Sequence, residues 1–233
     1  MTDFFSFPAL PLSVMKMFDK SLPSKELLTN TNIPVQFVEV TYSDYDVRLG
    51  EKEVAKLLKE WKPSLKRPSL LLHGAPGLAK TMMACASLNE QHARYKTPVK
   101  ASSETSLRMR QEKCPVYFIQ LADLFHIQQR VFRLEGLFRR DPDNYAQDFI
   151  EADRLVQDLY HRVQFLVVDD VGKEHKTASE FMEDSFDFLV RTRHNHGLST
   201  IFTTNIPVSR WSSKYRDSME SFIKRTCTTI EFR

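Results

Sequence analysis

Residues 69–81 read Ser69, Leu70, Leu71, Leu72, His73, Gly74, Ala75, Pro76, Gly77, Leu78, Ala79, Lys80, Thr81. An apolar run of strand length stops at a glycine, crosses a Gly/Pro turn and reaches Lys-Thr where a helix should begin. A strand, a tight loop and a helix in this order form a phosphate-binding loop. Backbone N–H groups and the helix N-terminus cradle phosphate oxygens, a lysine reaches the β- and γ-phosphates, and a Thr hydroxyl ligates Mg²⁺. The expected ligand is therefore ATP with Mg²⁺, held by Gly74, Ala75, Pro76, Gly77, Leu78, Ala79, Lys80 and Thr81. Ala79 departs from the G-x-x-x-x-G-K-[ST] template at its second glycine. A methyl there crowds either the phosphate or the tight backbone path, so it is expected to weaken binding.

A second apolar run, residues 163–170, ends in the paired acids Asp169 and Asp170. Two carboxylates at the end of a buried strand repel each other unless a cation neutralises them. Mg²⁺ supplies that cation, with Asp169 as its ligand and Asp170 placed to activate water for phosphoryl transfer. Further strands are expected at 115–120, 199–205 and 228–232, and helices at 51–61, 82–93, 121–137, 145–161 and 179–193. Helical crossovers make the four strands between 69 and 204 parallel. Their C-terminal ends then share one edge, where Lys80, Asp169 and Asn205 should converge.

The 233 residues fit one α/β domain with a short extension, and a net charge of +3 confines any nucleic-acid surface to a local patch. Cys85, Cys114 and Cys227 are odd in number and far apart, which argues against a disulfide framework or a zinc site. No stretch reaches the roughly 18 continuous apolar residues of a membrane span, and the start of the chain lacks signal-peptide character, so a cytoplasmic protein is expected. Residues 1–32 are rich in Phe, Leu, Met and Pro and are taken as a short extension that either covers its own core or docks on a partner. The basic stretch 95–113 reads as an exposed insertion. Its Arg108, Arg110 and Lys113 either form a solvated face or contact DNA phosphates.

Three stretches together resemble the DnaC/DnaI/IstB group of AAA+ ATPases. They are Ile33-Pro34 with Phe37, the block Asp169-Asp170-Val171-Gly172-Lys173-Glu174, and Thr203-Thr204-Asn205-Ile206-Pro207. The similarity covers residues 33–233. It implies an α/β P-loop NTPase with an AAA+ core, a five-stranded parallel sheet flanked by helices, and no C-terminal helical lid. It also implies an ATP-dependent replication protein that assembles on a replicative helicase, or another DNA-processing protein, and on single-stranded DNA, as a homo-oligomer. By position, Asn205 corresponds to sensor 1, Phe37 and Tyr42 lie where the lead-in approaches the base, and Arg193 has a structural role. Arg225 is the expected arginine finger acting on a neighbour's ATP, although a gap-free register puts Phe222 there; Arg210 and Arg216 are the reserves. An IstB-like transposition helper and an adaptor that binds nucleotide without hydrolysing it are the competing readings. The extension is about half the length of a usual helicase-docking domain, which separates this chain from helicase loaders in that respect.

Overall fold

The structure, a computed structural model, describes residues 31–45, 52–64, 66–96, 116–173 and 180–233. Arg108, Arg110, Lys113, Cys114 and most of the extension lie outside these residues. In chain order the elements are α1 (Lys52–Glu60), β1 (Ser69–Gly74), α2 (Lys80–Lys96), β2 (Val116–Gln120), α3 (Leu121–Phe138), α4 (Pro142–His161), β3 (Phe165–Val171), α5 (Glu180–Asn195), β4 (Ser199–Thr204), α6 (Asp217–Thr226) and β5 (Cys227–Phe232). The five strands form one sheet in the order β2-β3-β4-β1-β5, and every neighbouring pair is parallel. This follows from the crossovers, because a parallel partner must be reached by a connection long enough to cross the sheet.

Both faces of the sheet are covered, so the central strands read as continuous apolar runs without polar alternation. Leu70, Leu71 and Leu72 are fully buried, as are Leu166, Val167 and Val168. One core layer joins Leu71, Leu166, Val168, Val171 and Phe202 to α3, α4, α5 and α6 through Leu124, Leu155, Phe186 and Ile223. The other joins Leu70, Leu72, Val167 and Ile201 to α1 and α2 through Leu58, Met83 and Leu88. Full burial of such a side chain contributes about 1.5–3 kcal/mol. No described helix is long and apolar enough to cross a membrane.

The helix bounds differ from the expected ones by up to three residues, and one helix is additional. Helix α4 starts at Pro142 and not at residue 145, with Asp141 as N-cap accepting from the Asn144 N–H at 3.3 Å. The Asp-Pro-Asp-Asn run reads as a turn by composition, yet a capping Asp followed by Pro at the first helical position starts a helix. Helix α6, with a 3₁₀ turn at Val208–Ser213 before it, was not anticipated. Its buried Met219, Phe222, Ile223 and Thr226 do follow the helical spacing.

Strand β2 is an edge of the sheet, and its outer side is occupied by the chain at Thr31 and Asn32. The Phe118 N–H donates to the Thr31 carbonyl at 3.0 Å, and Asn32 Nδ2 donates to the Phe118 carbonyl at 2.9 Å. Covering an edge in this way blocks pairing with a foreign strand. At the N-terminal edge, Arg193 is fully buried and donates to Thr200 Oγ1 at 2.8 Å, to the Ser199 carbonyl at 2.7 Å and to the Leu159 carbonyl at 2.5 Å. One guanidinium thus ties the ends of α4 and α5 to the start of β4, in agreement with a structural role.

Asp158 gives a pH test of this core. It is buried in α4, with Arg162 3.4 Å from Oδ1 and no partner at Oδ2 among the described residues. Burial raises its carboxyl above the ordinary 3.8, and Arg162 and Arg154 offset this only in part. The folded protein therefore holds this proton more tightly than the unfolded chain does. That contribution to stability is fully present below 3.8 and is lost as pH rises through the elevated folded value. Asp158→Asn removes the penalty. Thermal denaturation should show the variant melting above the wild type at neutral pH, with the gap closing on acidification. A variant that melts lower at neutral pH would contradict the burial argument.

Candidate functional site

The loop between β1 and α2 is shaped by two kinds of contact. Strand β5 pairs with β1 as far as Gly74, opposite Phe232. A Cβ on Gly74, at φ +151°, would lie 2.2 Å from the Phe232 carbonyl oxygen, so this glycine is required by the neighbouring strand. Gly77 turns at φ +83° with open space around it. Ala79 adopts φ +59°, and the Met83 N–H donates to its carbonyl at 3.0 Å as the first turn of α2 closes. The template's second glycine thus occupies a left-handed position, which costs a residue with a Cβ roughly 1–2 kcal/mol. Ala79 packs against the core layer beneath α2. Its departure from the template therefore strains the backbone path.

Lys80 is 7% exposed, and its ammonium donates to the carbonyls of Gly74 at 2.8 Å and Ala75 at 2.7 Å. Burial pulls its pKa below the ordinary lysine value, opposed by the charges of Asp170 and Asp169 and reinforced by Lys173. A buried ammonium satisfied only by carbonyl dipoles attracts an anion strongly.

The acids lie on β3, which runs on through Val171. Between β3 and β4 the register steps from Val168 opposite Phe202 to Val171 opposite Thr204, so β3 carries one extra residue. Asp170 sits in this bulge at φ +59°. Without the bulge, simple alternation would aim Asp170 into the apolar layer that holds Leu166 and Val168. With it, Val171 takes that place and Asp170 turns out, half-exposed, to pair with Lys173 Nζ at 2.7 Å. Asp169 keeps the other face and is 2% exposed. Its Oδ1 accepts from Thr81 Oγ1 at 2.8 Å and from Thr203 Oγ1 at 2.5 Å. Burial is the main influence raising its pKa, the two hydroxyls oppose it, and the Asp170 charge adds to the rise.

Thr81, Asp169 and Lys80 are thus brought together, and Thr203, absent from the sequence-based set, joins them. Strand alternation could have found it, because Thr203 lies two residues after Ile201 on the face that meets α2. Asn205 follows the end of β4, half-buried, and makes none of these hydrogen bonds. Phe37 and Tyr42 sit on two 3₁₀ turns laid along α2. Asn89 Nδ2 donates to the Phe37 and Val40 carbonyls at 2.9 Å each, and Tyr42 Oη donates to Ser87 Oγ at 3.1 Å. The lead-in therefore meets α2 about two turns beyond Thr81.

Arg225 is exposed in the last turn of α6, its guanidinium 5.7 Å from the Phe222 ring centroid. Phe222 itself is buried, so the gap-free register puts a core residue in the finger's place. Strand β5 begins two residues after Arg225 and pairs Cys227 with Ser69, the first residue of β1. At about 3.3 Å per residue, Arg225 lies roughly 17 Å along the sheet from its own loop. Arg216 is held by Asp184 at 2.8 Å, and Arg210 is exposed on the 3₁₀ turn after β4.

The donor set suits a nucleotide phosphate with Mg²⁺. Thr81 gives its proton to Asp169 and keeps its lone pairs for a cation, while both hydroxyls fall on Oδ1 and leave Oδ2 open. Oxygen donors of this kind match the preference of Mg²⁺ for hard ligands.

No protein-family model matches the sequence, and no curated protein is significantly similar to it. Solved structures do match the fold. A replication initiator DnaA bound to AMPPCP and single-stranded DNA superposes with a TM-score of 0.55 at 15% identity over 86% of this chain and 51% of the DnaA chain. The DnaC helicase loader gives 0.53 at 18% identity over 86% of this chain and 100% of the other. DnaI gives 0.52 at 20% identity over 86% and 94%. The chain spans about half the length of the DnaA chain it matches. The fold is therefore an α/β fold, a five-stranded parallel sheet flanked by helices, and it resembles the folds of the DnaA, DnaC and DnaI structures.

Ala79→Gly tests the strained loop. Relief of the left-handed alanine exceeds the extra entropy glycine brings to the unfolded chain. The variant should gain about 1 kcal/mol, a rise of about 2–4 °C in melting temperature for a chain of this size. An unchanged or lower melting temperature would show that Ala79 is not strained.

Proposed function

We propose that this chain is an ATP-binding and ATP-hydrolysing protein of DNA replication, resembling helicase loaders, whose nucleotide state governs assembly on a replicative helicase and single-stranded DNA. The observation that carries the ATP site is the cluster of Thr81, Asp169 and Thr203 beside the buried Lys80. Lys80 exchanges the Gly74 and Ala75 carbonyls for phosphate oxygens. Thr81 and Asp169 hold Mg²⁺, which neutralises phosphate charge and polarises the transferred group when bound. With nucleotide bound, Asp170 would orient the attacking water and take its proton, Asn205 would be the group nearest the terminal phosphate, and Phe37 and Tyr42 would lie on the side of the base. The replication role is supported by the resemblance to DnaC and DnaI, and DNA binding by the matched DnaA structure that holds single-stranded DNA. Arg108, Arg110 and Lys113 are the proposed phosphate contacts, and a cytoplasmic homo-oligomer on ATP and DNA is the proposed assembly. Stimulation by single-stranded over duplex DNA separates this role from that of a transposition helper.

One observation favours a second reading, an adaptor that binds ATP without turnover. The Lys173 ammonium sits on the Asp170 carboxylate at 2.7 Å and competes with water for it. Turnover measurements decide between the two.

Lys80→Ala should abolish Mg·ATP binding in calorimetry, since the phosphate charge loses its buried cation. Asp170→Asn should keep ATP affinity and slow hydrolysis by about 10²-fold or more, the scale of a lost general base. Unchanged affinity in the first variant rejects the site. Equal loss of affinity in the second makes Asp170 a metal ligand.

Arg225 lies roughly 17 Å along the sheet from its own loop, so its guanidinium is proposed to act on a neighbouring subunit's ATP. Mixing Lys80→Ala with Arg225→Ala should restore part of the activity that each variant lacks alone, because one supplies the finger and the other the site. Wild-type turnover in Arg225→Ala would move the role to Arg210 or Arg216.

A further inference from the structure

Thr203 is 1% exposed and its hydroxyl makes two bonds with fixed directions. The Asp170 backbone N–H can only donate, and it does so to Thr203 Oγ1 at 3.0 Å. The hydroxyl's single proton then goes to Asp169 Oδ1 at 2.5 Å. One side chain on β4 thus holds the carboxylate proposed to ligate Mg²⁺ and the backbone of the bulge that aims the proposed base. The neighbouring Thr204 is engaged differently: its hydroxyl donates to the Val171 carbonyl at 2.6 Å and touches neither acid.

We infer that Thr203 is a positioning residue for phosphoryl transfer, coupling the placement of the metal-binding Asp169 to that of the water-activating Asp170; this rests on the ATPase reading above. Removing the hydroxyl has two effects at once. Asp169 keeps only Thr81 as a donor and can rotate away from the metal position, and the Asp170 N–H is left without its partner, so the bulge loses its anchor. Thr203 itself touches no reacting atom, and its effect passes through the two acids. Groups that orient metal ligands in this way typically contribute 10–100-fold to metal affinity or activity.

The test uses the full chain with Thr203→Val, which keeps the shape and removes the hydroxyl, and Thr203→Ser, which keeps the hydroxyl and removes the methyl. Calorimetry with AMPPCP in EDTA and then in Mg²⁺ gives the metal-dependent part of the affinity, and steady-state hydrolysis gives kcat and KM. Thr203→Val should bind AMPPCP in EDTA like the wild type, lose about 10–100-fold of the Mg²⁺-dependent gain, and lose about 10–100-fold in kcat. Thr203→Ser should restore both. Thr203→Ala replaces the valine variant if circular dichroism shows that one unfolded. Wild-type Mg²⁺ dependence and turnover in the hydroxyl-free variant overturns the inference, as does a serine variant as impaired as the valine one. Failure of the underlying reading looks different, because then the wild type shows no Mg²⁺-dependent gain and Asp169→Asn changes nothing.

Discussion

The Asp169 carboxylate, 2% exposed and holding two hydroxyl protons on one oxygen, is the point on which the site depends. Burying a carboxylate is unfavourable unless donors or a cation meet it. Here the donors come from positions 81 and 203, brought to position 169 by strand order and register. Strand β4 lies between β3 and β1, so the helix leaving β1 and a threonine on β4 both reach the face on which Asp169 stands. The two core layers fix that arrangement. Each strand of the centre is clamped on both sides by helices, and a one-residue slip would exchange its faces.

Strain collects around the same point. Ala79 and Asp170 both adopt φ +59°, and they precede the lysine and follow the carboxylate of the site. Left-handed conformations of residues with a Cβ persist where the surroundings over-determine them. For Ala79 the surroundings are the first turn of α2 and the core beneath it. For Asp170 they are the Thr203 hydroxyl and the turn to Lys173, whose N–H donates to the Asp170 carbonyl at 3.2 Å. Gly172 completes this turn at φ +97°, where a Cβ would meet Ile206 Cδ1 at 2.5 Å. The same turn carries the Lys173 ammonium onto Asp170, so the geometry that exposes the acid also supplies its counter-ion.

Asymmetry between the sheet's two edges organises the rest. The loop, the acids and Asn205 gather at the C-terminal ends of the strands, whereas Arg193 and Arg225 lie towards the N-terminal ends. Buried Arg193 satisfies backbone carbonyls there, and exposed Arg225 lies at the far end of the sheet from its own loop.

Much of this was legible from the chain. A Gly-bounded apolar run before Lys80-Thr81, another ending at Asp169-Asp170, and helical spacing between them settle strand–loop–helix units and a parallel sheet, because propensity, periodicity and crossover geometry are properties of single segments and their connections. Strand order, the bulge at Asp170, the contact that forces Gly74 to be glycine and the pairing of Thr203 with Asp169 came only from the folded molecule. These depend on the register between strands distant in sequence. Packing of both sheet faces sets that register, and no local signal at position 169 or 203 carries it.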